Sequence, residues 1–247
     1  MYYTTYSFLL YLHILVGSVS LITFWLPVIA KKGSAFHIKA GKWFEYGMLT
    51  VAGTGIIITL MVLIDPLAVK DPQMALSSYQ VAVVSERSRL FAWFLLMLSL
   101  LVLNTTRHSI LVLKCKNDRQ PLRKLPHLLP IVMMALISPY VAYLGITSQF
   151  VLLQIFAALC LVNSYRLLSY IFKKELKARE WLVEHLTNII GAGIGAYTAF
   201  FAFGGRRLLE GFIAEQWQIM FWVLPGVIGG ICVNRLAKKY RQQYRVN

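Results

Sequence analysis

Hydrophobic positions follow one another along this chain in long unbroken stretches. Neither the alternation of a half-buried strand nor the single apolar stripe of a surface helix is present. The stretches cover about residues 6–30, 43–64, 90–113, 127–146, 149–172, 181–203 and 217–236. About 20 apolar residues suffice for a helix to cross the hydrocarbon core of a bilayer. Lipid offers no partner to backbone N–H and C=O groups, so such stretches must be helical. The pattern predicts an all-α polytopic bundle of seven transmembrane helices, built as one integral membrane domain over residues 1–247. Pro130 and Pro139 interrupt the fourth stretch, and neighbouring helices can absorb that. The short turn before the fifth makes those two helices antiparallel neighbours. Between the stretches, residues 205–216 read as an external loop and 173–180 as a charged helical lead-in to the sixth span. Met74–Val84 is mildly apolar and lies outside the spans.

Composition agrees with the pattern. Of the 247 residues 58% are hydrophobic and 14% charged, against about 45–50% and about 25% in an ordinary globular chain. No room is left for a soluble domain, and disorder, a coiled coil and a secreted mini-protein are excluded. No Lys or Arg precedes the first span, so it reads as an anchor and not as a cleaved signal peptide. Cys115, Cys160 and Cys232 stand singly, without the spacing of a disulfide framework or a zinc ribbon.

The net charge of +15 changes meaning once it is mapped. Twenty of the 25 Lys and Arg follow spans one, three, five and seven, from Lys31 to Lys42, Arg107 to Lys124, Arg166 to Arg179 and Arg235 to Arg245. The positive-inside bias then sets the N-terminus outside and the C-terminus inside. The basic face meets anionic lipid headgroups, and nucleic acid is not an expected partner. Tyr2, Tyr3, Tyr6, Trp217 and Trp222 at one level, with Tyr240 and Tyr244 at the other, fit interfacial belts. Gly191, Gly195 and Ala199 form a small-residue stripe suited to helix packing within the bundle, or to a homo-oligomer.

Ionisable side chains inside spans are costly and mark function by default. They gather on the inner half: His37, Glu45, Arg107, His108, His127, Arg166, Glu184 and His185, with Asn163, Asn188 and Asn234. His37, Gly41 and Glu45 share a helix face if the second helix starts near Ser34, as do Glu184 and Asn188. By residue counting His37, His108 and His185 fall at comparable depth on three helices. Three imidazoles with a carboxylate such as Glu184 suit a divalent metal, and two facing imidazoles suit haem b. The same groups, with His13, Glu45 and Asn188, would also serve as a protonatable polar cavity for a small molecule. Structural readings stand beside these. His108 and His127 suit headgroup contacts or interhelical hydrogen bonds, His13 a hydrogen-bonded core position, Glu45 neutralisation of Lys39 or Lys42, and Arg166 and Arg235 snorkelling to phosphates. The last span lacks the lysine of a retinal protein, and no H-E-x-x-H or phosphate-binding glycine loop occurs.

Lys32-Gly33-x3-His37-x3-Gly41-x2-Phe44-x3-Met48, His13 followed by Gly17, and a late helix led by His185 and closing on Thr198-Ala199-Phe200 carry a resemblance. The chain resembles a group of uncharacterised bacterial membrane proteins of the domain-of-unknown-function class. Ile189 stands where a member often has methionine. The resemblance implies a multi-pass helical bundle in the bacterial cytoplasmic (inner) membrane, with His13, His37 and His185 as family-like positions. It implies no activity. Three functions follow as expectations: a haem- or metal-bearing membrane protein, a proton-linked small-molecule transporter, and a structural or sensory module.

Overall fold

A computed structural model describes residues 1–205 and 218–243. The described chain is helical throughout, with eight α-helices and no strand. They are α1 (Tyr2–Ile29), α2 (Ala35–Ile64), the short α3 (Pro66–Lys70), α4 (Ser78–Cys115), α5 (Leu125–Thr147), α6 (Val151–Phe172), α7 (Glu180–Ala199) and α8 (Gln218–Gln243). A 3₁₀ turn at Gln120–Arg123 precedes α5, and a π-helical segment, Phe200–Gly205, continues α7. Five helices, α1, α2, α4, α5 and α6, are long and apolar enough to cross a membrane. The expected loop at 205–216 falls, beyond Gly205, outside the described residues.

Several boundaries differ from the sequence expectation, α2 starting at Ala35 and α8 running to Gln243, and two of the differences have a local cause. The third apolar stretch belongs to a helix that begins at Ser78, well before the charged Glu86–Arg89 segment. Gln80 accepts the Ser77 N–H at 3.0 Å, and this reciprocal cap starts the helix in polar sequence where hydropathy gives no signal. Residues 173–179 are not a helical lead-in to α7. Arg179 adopts φ 59°, a left-handed conformation that interrupts any helix running through it. The Glu180 carboxylate instead fastens the loop, accepting from the Lys173 ammonium at 2.7 Å and from the Lys177 N–H at 2.9 Å.

α4 is the hub. It packs against α2, α5 and α7, and more lightly against α6. α1 lies on α2, α5 on α6, and α8 on α7. One core cluster joins Phe94, Met97 and Leu100 of α4 to Met134 and Val141 of α5 and Leu153, Ala157 and Cys160 of α6. Another places Phe24 of α1 with Phe44 and Met48 of α2 and Ala192 of α7. There Gly193 is the close-approach glycine, since a Cβ would strike the Phe24 ring. The stripe read as packing has a different setting. Among the described residues, Gly191 has nothing within 4 Å of where its Cβ would be, and Gly195 only Val102 at 3.7 Å.

Proline and helix-end carbonyls find donors from neighbours, as a lipid environment requires. Pro130 has no N–H to offer the carbonyl of Pro126, and the Arg107 guanidinium donates to that oxygen instead. Asn104 donates to Pro130 O at 3.0 Å. At the end of α6, Arg119 donates to Tyr170 O at 3.0 Å and Arg123 to Ile171 O at 3.4 Å. Arg107 is therefore bound to the backbone of α5.

Glu180 stands just outside the apolar stretch of α7. Burial would raise its carboxyl, yet the Lys173 and Lys177 hydrogen bonds, with Arg241 nearby, hold it below the usual carboxylate range. A lowered folded-state value gives stability that is present above the unfolded value of about 4.3 and is lost as pH falls through the folded value. Glu180→Gln should therefore lower stability at neutral pH, and the deficit should shrink as pH falls below the unfolded value of about 4.3. The half-exposed Lys173 limits the ion pair to about 1 kcal/mol. Thermal unfolding of both proteins across pH 3–7 checks this.

Candidate functional site

The C-terminal half of α4 carries six consecutive polar residues, Asn104-Thr105-Thr106-Arg107-His108-Ser109. All but Arg107 are buried, and His108 is fully so. Because α4 is surrounded, its polar groups must be answered by α5, α6 and α7. His108 is met from three sides. Its Nδ1 shares a hydrogen bond with His127 Nε2 of α5 at 3.0 Å, and the two rings stack with centroids 5.3 Å apart. Its Nε2 lies 3.3 Å from Glu184 Oε1 of α7, near enough for a charge pair but off the line of a hydrogen bond. The edge of Tyr170 of α6 meets the ring at 5.5 Å. Asn188, one turn after Glu184, donates to Glu184 Oε1 at 2.8 Å and holds the carboxylate toward α4. Among the described residues, His127 Nδ1 and the Tyr170 hydroxyl are buried without a hydrogen-bond partner.

His185 faces another part of α4. Ser109 and His185 are stitched reciprocally: Ser109 Oγ lies 2.8 Å from His185 Nδ1 and donates to His185 O at 3.1 Å, while Nδ1 also lies 3.1 Å from Ser109 O. His37 is in the first turn of α2, which Ser34 caps by accepting the His37 N–H at 3.1 Å. Its ring nitrogen Nδ1 sits 3.0 Å from Pro27 O, and Lys32 donates to Pro27 O and Val28 O at 2.8 and 2.7 Å. His37 and Lys32 thus satisfy the end of α1, although His37 stays within electrostatic reach of His185. His13 pairs with Thr54 of α2 at 2.9 Å, in a contact between α1 and α2. Glu45 lies within electrostatic reach of Lys114 on α4 and of Lys42.

His108, Glu184 and Asn188 are therefore brought together, with His127 and Tyr170 added. His13, His37, Glu45 and His185 each have other partners. Among the described residues no group of three or more His, Cys, Asp or Glu side chains is arranged to hold a metal ion. His127 was readable as one of the ionisable residues of the spans but not as the partner of His108, and Tyr170, among apolar neighbours, carries little signal in the sequence. Ser109 was readable only as part of the polar run on α4.

Glu184 also opens outward. It lines a cavity of about 250 Å³ with Arg166, Thr187, Asn234, Lys238 and Arg241. Arg166, Thr187, Val233 and Asn234 also line a larger space of about 600 Å³ between α6, α7 and α8. Asn188 and Thr105 reach that space from the buried cluster. Chemically, the arrangement is a chain of ionisable groups running from a sealed imidazole to a carboxylate at the wall of a cavity.

Coupling between these groups is measurable. A double-mutant cycle on His108→Ala and Glu184→Gln should give an interaction energy of about 0.5–3 kcal/mol. The same cycle on His13→Ala and Glu184→Gln should add within about 0.5 kcal/mol. Denaturant or thermal unfolding in detergent supplies the four stabilities for each.

No protein-family model matches the chain, and neither a curated protein nor a solved structure with significant similarity to it was found.

Proposed function

We propose that this protein is an integral multi-pass membrane protein of seven spans that binds a small molecule in the cavity between α6, α7 and α8, with binding linked to proton movement along His127, His108 and Glu184. α7 and α8 supply the two spans beyond the five long apolar helices, and the basic face lies in the cytoplasm with the N-terminus outside. The observation that carries the reading is Glu184, which touches His108 on one side and lines the cavity on the other.

The tautomers follow from the partners. With Glu184 ionised, His108 carries its proton on Nε2, so Nδ1 accepts from His127 Nε2–H. His127 Nδ1 is then a bare acceptor, in keeping with its unpartnered state. A proton taken up at His127 Nδ1 releases the one on Nε2 to His108 Nδ1, and the His108 Nε2 proton passes to Glu184. A small rotation of the carboxylate brings it onto the hydrogen-bond line. The proton count is conserved, and the net result is a neutral Glu184 at the cavity wall. Groups facing Glu184 are His108 from α4, Tyr170 and Arg166 from α6, Asn188 from α7, and Lys238 and Arg241 from α8. Haem ligation at His108 competes with this arrangement, because both ring nitrogens already face partners.

Infrared titration of the detergent-purified protein between pH 5 and 8 tests the relay. A carboxyl band that responds to pH should be lost in Glu184→Gln and altered in His108→Ala. A carboxyl region silent to pH would sink the reading. For the orientation, a fluorescent protein fused after residue 247 should mature and fluoresce in cells, and a dark but membrane-inserted fusion would reverse the assignment.

A further inference from the structure

Resting on the cavity reading above, we infer that the occupant is an anionic amphiphile, with its carboxylate or phosphate head among Arg166, Lys238 and Arg241 and its acyl chain in the groove between α6 and α8. Four observations converge on this ligand class.

The first is shape. α6 packs on α5 and α4, while α8 packs on α7, so α6 and α8 stand apart with the groove between them. On α7 its lining runs from Thr187 to Thr198, a rise of about 16 Å at helical pitch. That matches about one leaflet of a bilayer core of about 30 Å. The volume of about 600 Å³ lies within the range of small-molecule sites.

The second is the floor. Gly191 of α7 and Gly226 and Gly230 of α8 line the groove, and none has a described atom within 4 Å of its missing Cβ. These glycines are not spent on helix contact, unlike Gly193 against Phe24 and Gly229 against Ile194. They widen an empty channel.

The third is access. Ile155, Leu159, Val162 and Val227 border the groove and are exposed, so its flank faces the surrounding lipid. The fourth is charge. Arg166, Lys238 and Arg241 meet at one end of the groove with Glu184 as the only carboxylate lining that end among the described residues. Glu180, which lies within reach of Arg241, is already occupied by Lys173. A positive excess at the mouth of an apolar, leaflet-deep channel recognises a negative head on a hydrocarbon chain. Asn163 adds a polar handle inside, because its Oδ1 is buried with no partner among the described residues.

The test uses the full chain in neutral detergent at pH 7, titrated with palmitate, palmitoyl-lysophosphatidylglycerol, palmitoyl-lysophosphatidylcholine or inorganic phosphate and read by native mass spectrometry. The expected result is saturable binding of one palmitate or one lysophosphatidylglycerol per chain, with lysophosphatidylcholine at least about tenfold weaker. Inorganic phosphate alone should not displace either. Gly191→Leu and Gly230→Leu, which fill the channel and favour helix, should each weaken palmitate at least about tenfold. Arg166→Gln with Arg241→Gln should erase the preference for anionic heads, and these exposed positions keep the test available if a glycine variant fails to fold. Equal binding of charged and zwitterionic chains would overturn the inference, as would displacement by phosphate alone. A dimer dissolved by Gly191→Leu would do the same, making the groove a helix-docking surface. Charge-selective binding with no infrared response removes the relay and leaves this inference standing. The converse result removes only the amphiphile.

Discussion

A fully buried imidazole on the hub helix constrains the part of the bundle around the C-terminal half of α4. His108 has no exposed surface, and in lipid an unanswered polar ring would cost several kcal/mol. Three neighbours must therefore present the right groups at the right height: His127 from α5, Glu184 from α7 and the edge of Tyr170 from α6. Because lipid tails give helices little hydrophobic reason to associate, these polar meetings, with close contacts such as Gly193 on Phe24, define which helices are neighbours. The reciprocal Ser109–His185 bonds repeat the same logic one residue further along α4.

The basic residues divide between two tasks that net charge alone cannot separate. Arg107, Arg119, Arg123 and Lys32 donate to backbone carbonyls left open by a proline or by a helix end. They are structural, and they place α5 and α6 around His108. Arg166, Lys238 and Arg241 donate to no such carbonyl among the described residues. They line the mouth of the cavity on which Glu184 opens, beside the buried His108.

Much of the helical layout was legible because bilayer thickness imposes length and backbone saturation imposes conformation. The boundaries of α5 and α6 fall within two residues of the apolar stretches at 127–146 and 149–172. Hydropathy could not reveal the polar start of α4, which depends on the Ser77–Gln80 cap, or the break at Arg179, which depends on one backbone angle. For the site, counting residues gives depth along a helix but neither azimuth nor neighbour order. Glu184 and Asn188 could be put on one face from their spacing, and they do act together on α4. His37, His108 and His185 share a depth by the same counting but have different partners, because α4 turns His108 toward α5 and Ser109 toward α7. His127 sits in the first turn of its helix, a position that suits a headgroup contact as readily as an interior one. Only the packing of α5 on α4 buries it. The Gly191 and Gly195 spacing was likewise visible, but whether a neighbour fills the space beside it is a tertiary fact.

The measurement that bears most directly on this account is the through-hydrogen-bond ¹⁵N–¹⁵N coupling between imidazoles, recorded on histidine-labelled protein in a lipid environment. The account predicts a cross-peak joining His108 Nδ1 to His127 Nε2, a proton on His108 Nε2, and loss of the cross-peak in His127→Asn with the fold retained. Two uncoupled, independently titrating histidines, or a pair bound through a metal, would contradict it.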